Sequence, residues 1–238
     1  MSDIPYEDLA ALNAPMLQEL NAAFGRVAAR GWYILGEEVA AFETEFARYV
    51  GSPHCVGLAS GLDALILALD ALQLRPGGEV LVASNTYIAT IMAILRCGLK
   101  PVLVEPDLES ANMTAANTAA AVNRHTVAIC VTHLYGQPCD MPGIAAIASD
   151  HRLPIVEDCA QAHGAKVGDR HVGTYGIGAY SFYPTKNLGA LGDAGAVVCA
   201  DPGLAGRIRT LRNYGSRTKY YNELLGYNSR LDEVQAAL

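Results

Sequence analysis

The sequence predicts an α/β protein whose mostly parallel central sheet lies between helices, and three observations predict it. Short apolar runs alternate with longer helical patterns along most of the chain. Those runs are apolar on both faces, as parallel strands covered by helices on each side must be. The balance of 51% hydrophobic to 17% charged residues calls for a thick core, against roughly 25% charged in an ordinary soluble domain.

The elements follow in order. Strands are expected at 56–59, 80–83, 102–105, 127–132 and 155–157. Helical patterns at 61–72, 86–97, 114–123 and 142–150 separate them, so right-handed crossovers are expected. Residues 164–178 are rich in Gly and charge, and two further strands, 179–183 and 196–199, precede a helix at 204–213. Ahead of the sheet, 16–30 and 37–50 have amphipathic helical spacing. The division is therefore an N-terminal helical segment over 1–50, packed on the large domain or on a partner, and a large domain over 51–238.

Composition narrows the class. Twenty-four acidic and seventeen basic side chains give a net charge of −7 over 238 residues, without the broad basic footprint of a nucleic-acid binder. Asp3, Glu7 and Asp8 stand where a secretory leader needs basic and then apolar residues. The apolar stretch 80–104 is broken by Asn85, Arg96, Gly98, Lys100 and Pro101. It reads as strand, helix and strand rather than as a membrane span of about 20 residues. Cysteines at 55, 97, 130, 139, 159 and 199 form no CxxC pair and read as buried, reduced thiols, with no metal site. The expected location is the cytoplasm, with neither membrane nor nucleic acid as partner.

Ligands of open parallel sheets sit beyond the carboxyl ends of the strands, and three features fall there. Ala59-Ser60-Gly61-Leu62-Asp63 joins a strand to a helix; it is either an ordinary cap or an anion cradle of unpaired amides. The strand 154–158 ends in Glu157 and Asp158, of which alternation turns only one towards a given pocket. An acid there can be a salt-bridge partner, a metal ligand or the counter-ion of a protonated ring nitrogen. In Ser181-Phe182-Tyr183-Pro184-Thr185-Lys186-Asn187-Leu188-Gly189, a lysine sits among apolar flanks, and buried lysines are rare. Desolvation of an amine favours its nucleophilic form. Together these supply what pyridoxal phosphate (PLP) requires: an imine-forming lysine, an acid for the pyridinium nitrogen and a phosphate cradle.

Seven ordered strings carry a resemblance over almost the whole chain: GWYILGEEVAAFETEFARYVG (31–51), SGLDAL (60–65), SNTYIAT (84–90), HLYGQPCDM (133–141), VEDCAQAHGA (156–165), SFYPTKNLGALGDAGA (181–196) and GYNSRLDEVQAAL (226–238). The chain resembles the DegT/DnrJ/EryC1/StrS family of PLP-dependent sugar aminotransferases, of the aspartate-aminotransferase fold (fold type I). The resemblance implies the Schiff base on Lys186 and the pyridinium partner at Asp158. It implies Gln161 near the ring hydroxyl, Tyr87 stacked on the ring, and the phosphate held by Gly61, Leu62 and Ser181. Asn228 would reach the phosphate in a neighbouring subunit, which implies a homodimer with shared active sites. His163, Tyr183, Arg217 and Lys219 are candidate substrate contacts; His163 reads equally as an interior histidine. A solvated helix face accounts for Arg207, Arg209 and Arg212.

Many members have Thr after the first Gly, where this chain has Leu62, so one phosphate hydroxyl is missing; Asp63 is expected to cap the helix instead. The GLDAL form, with NYGS (213–216), resembles the subgroup that aminates C3 of dTDP-linked 3-keto-6-deoxyhexoses, with L-glutamate as donor. A 4-keto nucleotide-sugar aminotransferase, a PLP-binding regulator without turnover and a sugar dehydratase are the rival readings; related dehydratases carry His in place of the lysine. The resemblance also implies a longer protein with a small C-terminal domain, absent from this chain, and hence weak activity for residues 1–238 alone.

Overall fold

The computed structural model describes residues 5–238. The acidic start read above as no leader falls in part on residues 1–4, outside the described residues. The chain opens with α1 (Leu9–Asn13), α2 (Leu17–Arg30) and α3 (Glu37–Val50). The last two each end at a left-handed glycine, Gly31 and Gly51, where only a residue without a Cβ avoids strain. Next come β1 (His54–Leu58), α4 (Gly61–Ala71), β2 (Glu79–Ala83), α5 (Ile88–Arg96), β3 (Lys100–Val104) and α6 (Ala115–Ala121). They are followed by β4 (Thr126–Thr132), α7 (Met141–His151), β5 (Ile155–Asp158), β6 (Lys166–Val167), β7 (Arg170–His171), β8 (Ile177–Ser181) and β9 (Gly195–Cys199). Helix α8 (Pro202–Leu211), β10 (Ser216–Thr218), β11 (Tyr221–Asn222) and α9 (Glu233–Ala237) complete the described chain.

Seven strands form one sheet in the order β1-β9-β8-β5-β4-β2-β3. Only β9 runs against its neighbours; β8, β5, β4, β2 and β3 pair in parallel. Alternation distributes each strand between two cores. Val56, Val80, Val82, Cys130, Val156 and Val197 face α4, α5 and α8. Leu81, Ile129, Val131 and Ile155 face the layer of α7, while Cys55, Tyr180, Ala196 and Val198 face that of α3. Helix α4 is apolar nearly all round because it is buried nearly all round, from Ala64 to Leu69.

Four departures from the expected pattern have local causes. Strand β8 begins and ends two residues early, because Gly178 packs where a Cβ would meet Gly173 Cα at 2.6 Å; a period-2 apolar search passes over such a glycine. Helix α5 begins at Ile88 because Asn85 and Thr86 make a turn back to Ala83. Ser60, not Asp63, caps α4, its hydroxyl accepting the Asp63 amide at 3.1 Å. The solvated face expected for α8 fails at Arg212, which is buried against Glu43 and the Gly57 carbonyl. Burial of that guanidinium is tolerated because both acceptors are in place.

All six cysteines are free; five are buried and Cys97 is half-buried. Among the described residues no helix is long and apolar enough to cross a membrane. Glu233, fully buried, joins the two ends of the fold by accepting the Gly36, Glu38 and Val39 amides at the start of α3. A carboxylate at a helix N-terminus is favoured by the open amides and the dipole together.

Candidate active site

A cleft of about 430 Å3 opens at the carboxyl ends of β4, β5 and β8, beside the start of α4. Eight of the residues singled out in the sequence line it: Gly61, Leu62, Tyr87, Asp158, Gln161, Ser181, Tyr183 and Lys186. They come from four separate stretches of the chain.

The floor of the cleft is acidic. Asp158 is 5% exposed; its Oδ2 accepts the Thr90 hydroxyl at 2.7 Å and its Oδ1 the Ala160 amide at 3.1 Å. Burial pushes this carboxyl above its ordinary value, and the Thr90 and Ala160 donors, His133 and Lys186 pull it back. Among the described residues no cation lies within ion-pair distance of it. A buried carboxylate in that state suits a ligand that brings a cationic N–H.

Glu157, its neighbour in β5, turns to the other face, as alternation requires. Its carboxylate accepts the amides of Gly173, Tyr175 and Gly176 at 2.7–2.8 Å. His133 completes the cluster: its Nδ1 accepts the Cys139 amide, so Nε2 carries the proton and donates to Glu157 at 3.2 Å. Glu157 thereby pins the Gly-rich turn before β8, the strand that delivers Ser181 and, beyond it, Lys186. Replacing it (Glu157→Ala) leaves three inward amides without an acceptor. We expect a loss of about 3 kcal/mol or more of unfolding free energy, measured by urea denaturation.

At the cleft wall, α4 presents an anion cradle. Ser60 occupies two of the first amides, Asp63 through its hydroxyl and Ala64 through its carbonyl, which leaves those of Gly61 and Leu62 open. The Ser181 side chain lies so close that a Cβ on Gly61 would meet Ser181 Cβ at 2.4 Å and Cα at 3.0 Å. Gly61→Ala must therefore displace backbone. PLP affinity is expected to fall about tenfold or more, read by titration of visible absorption.

Lys186 is half-buried, held by a turn in which its amide donates to the Tyr183 carbonyl at 2.8 Å. The chain has four lysines, and the other three (Lys100, Lys166 and Lys219) are exposed. Tyr87 stands at the start of α5, 67% exposed, on the cleft rim. Gln161 Oε1 accepts the Tyr135 amide at 2.7 Å, which leaves Nε2 as a donor.

Four predicted residues lie elsewhere. His163 borders a separate cavity of about 590 Å3 with Phe42, Phe46 and Phe182; its Nδ1 bonds Asn187 Oδ1 at 2.8 Å, and burial pushes its pKa down. Asn228 is exposed and bridges Asn213. Arg217 and Lys219 stand exposed at the β10–β11 hairpin, Arg217 Nε on the Thr210 hydroxyl and Lys219 over the Tyr220 ring. Sequence reasoning missed Thr86, Thr90 and Thr132, buried or half-buried beside Asp158; the i, i+4 pair Thr86/Thr90 in SNTYIAT was their one visible signal.

The fold is that of type I PLP-dependent enzymes, and its cleft brings together a buried acid, a half-buried lysine and a helix N-terminus with open amides. Family comparison agrees, with residues 16–238 matching the DegT/DnrJ/EryC1/StrS aminotransferase family. The chain belongs to that family. It is 51% identical, over 99% of its length and 65% of the relative's, to a dTDP-3-amino-3,6-dideoxy-alpha-D-galactopyranose transaminase of Aneurinibacillus thermoaerophilus. It is 49% identical, over 99% of its length and 64% of the relative's, to a UDP-N-acetyl-3-dehydro-alpha-D-glucosamine 3-aminotransferase of Acidithiobacillus ferrooxidans. The X-ray structure of DesV from S. venezuelae superposes with a TM-score of 0.96 at 48% identity, covering 100% of this chain and 64% of that one. The chain thus spans slightly less than two thirds of the length of the proteins it matches.

Proposed function

We propose that the chain is the PLP-binding part of an aminotransferase that carries an amino group, from L-glutamate, to a nucleotide-linked keto-deoxysugar. The observation that carries this reading is the convergence of Lys186, Asp158 and the open amides of Gly61 and Leu62 on one cleft. PLP, when bound, supplies an electron sink for the charge left at a carbon that loses its proton. The residues do the rest. Gly61, Leu62 and Ser181 would hold the phosphate, Asp158 would accept the ring N–H, Gln161 Nε2 would donate to the ring hydroxyl, and Tyr87 would cover the ring face. Lys186 Nζ is the amine base of the cleft and takes the proton from the donor's α-carbon. A sensor without turnover has no need of that base, which favours an enzyme.

The names of both relatives point to position 3 of the sugar, one with dTDP and one with UDP; we favour a dTDP-3-keto-6-deoxyhexose. We further propose a cytoplasmic homodimer. Asn228, Arg217 and Lys219 are exposed and outside their own cleft, in keeping with a reach into that of a second copy, where the two cations would meet the substrate's diphosphate. His163 and Tyr183 remain candidate substrate contacts, and Tyr183 alone of the two lines the cleft. In domain terms, we propose that α1, α2 and α3, the helices within 1–50, form a segment packed on the large domain 51–238.

The test is product analysis. The whole protein, supplied with PLP, glutamate and a panel of dTDP- and UDP-keto-sugars, is expected to form a 3-amino sugar and 2-oxoglutarate. A deoxygenated product, or none from any sugar, would refute the reading.

A further inference from the structure

The floor of the cleft contains a chain of three hydroxyls that no part of the proposed reaction uses. Thr132 at the end of β4 lies 2.8 Å from Thr86, Thr86 lies 2.8 Å from Thr90, and Thr90 lies 2.7 Å from Asp158 Oδ2. Thr90 is fully buried and Thr132 nearly so. Each hydroxyl has one hydrogen to give. An ionised Asp158 can only accept, so Thr90 donates to it, Thr86 must donate to Thr90, and Thr132 must donate to Thr86. The chain therefore has one direction, and each bond polarises the next.

We propose that Thr132, Thr86 and Thr90 form a one-way hydroxyl relay that positions Asp158 against the cofactor ring and fixes the start of α5, which carries Tyr87, relative to it. The inference rests on the PLP reading given above. Its geometry is specific. Thr132 and Asp158 are register partners on adjacent strands, β4 and β5. Thr86 and Thr90 flank Tyr87, the first residue outside α5, one helical turn apart. The relay thus closes a ring through two strands and a helix start, tying the acid under the ring to the aromatic side chain at its face. These threonines are positioning residues: they act through Asp158 and Tyr87.

The test uses the chain loaded with PLP, with affinity read from visible absorption and folding checked by circular dichroism. Thr90→Val, which keeps the shape and removes the donor, is expected to weaken PLP about tenfold, and Thr90→Ser to restore affinity to near that of the unsubstituted protein. Thr132→Val is expected to weaken it about threefold, with no further loss when added to Thr90→Val, because its effect passes through Thr90. Thr86→Val should behave like Thr90→Val and carries the test should the latter not fold. Unchanged affinity in Thr90→Val or Thr86→Val, or independent addition of the Thr132 and Thr90 effects, overturns the relay. Absence of any Lys186-dependent absorption in the unsubstituted protein overturns the PLP reading, and the relay with it.

Discussion

Lys186→Ala is expected to abolish the visible absorption that PLP acquires on binding and to lower amino transfer by about 10³-fold or more. Two roles are lost at once. Among the described residues Lys186 is the only amine lining the cleft, and the three remaining lysines, Lys100, Lys166 and Lys219, are exposed. Among the described residues lining the cleft, Tyr183 and Thr185 offer hydroxyls and Asp158 and Asp193 carboxylates, none of them an amine, and His163 borders the other cavity. The substitution should leave the fold intact, because the turn holding Lys186 is made by its backbone amide on Tyr183. Absorption spectra and single-turnover assays on the whole protein check both halves. Wild-type turnover in this variant would remove Lys186 from the mechanism.

Asp158→Asn is expected to separate stability from activity. Activity should fall about 10²-fold to 10³-fold, the usual cost of removing one preorganised electrostatic partner. Stability of the cofactor-free chain should move the other way. Burial raises the Asp158 carboxyl above its ordinary value, so the folded chain holds that proton more tightly than the unfolded chain does. Its contribution to stability is fully present below the unfolded carboxyl's pKa and is lost as pH rises through the folded one. At pH 7 the ionised group therefore costs stability, and the neutral amide should recover about 1 kcal/mol. The gain should shrink as pH falls and the carboxyl becomes protonated. Thermal unfolding across pH 4–8, with and without PLP, measures it. A variant less stable than the parent at pH 7 would contradict a strained, buried charge.

Much of this was legible from the sequence, for identifiable reasons. The strands of the parallel core are apolar on both faces, so their positions could be read within two residues. The cleft was legible because its chemistry needs unusual residues in unusual places: two acids ending a strand, a lysine among apolar flanks, a glycine opening a helix. What escaped depends on contacts between distant segments. Arg212 looks like part of a solvated helix face until β1 and Glu43 of α3 are brought against it. Glu157 looks interchangeable with Asp158 until the 173–176 turn folds over it. The threonines of the relay are ordinary strand and cap residues by propensity, and only the fold, which brings the start of α5 to the ends of β4 and β5, joins their hydroxyls. Asp63 lost the capping role to Ser60 because the residue just outside a helix, rather than one in its first turn, has the geometry to accept its amides.

The central claim is that the cleft binds PLP through Lys186. The most direct measurement is borohydride reduction of the PLP-treated protein followed by peptide mass spectrometry, which fixes the cofactor to whichever amine holds it. The structure predicts the added mass on the peptide containing Lys186, at one equivalent per chain, with Lys100, Lys166 and Lys219 unmodified. Labelling spread over the exposed lysines, with Lys186 no more reactive than the others, would contradict it.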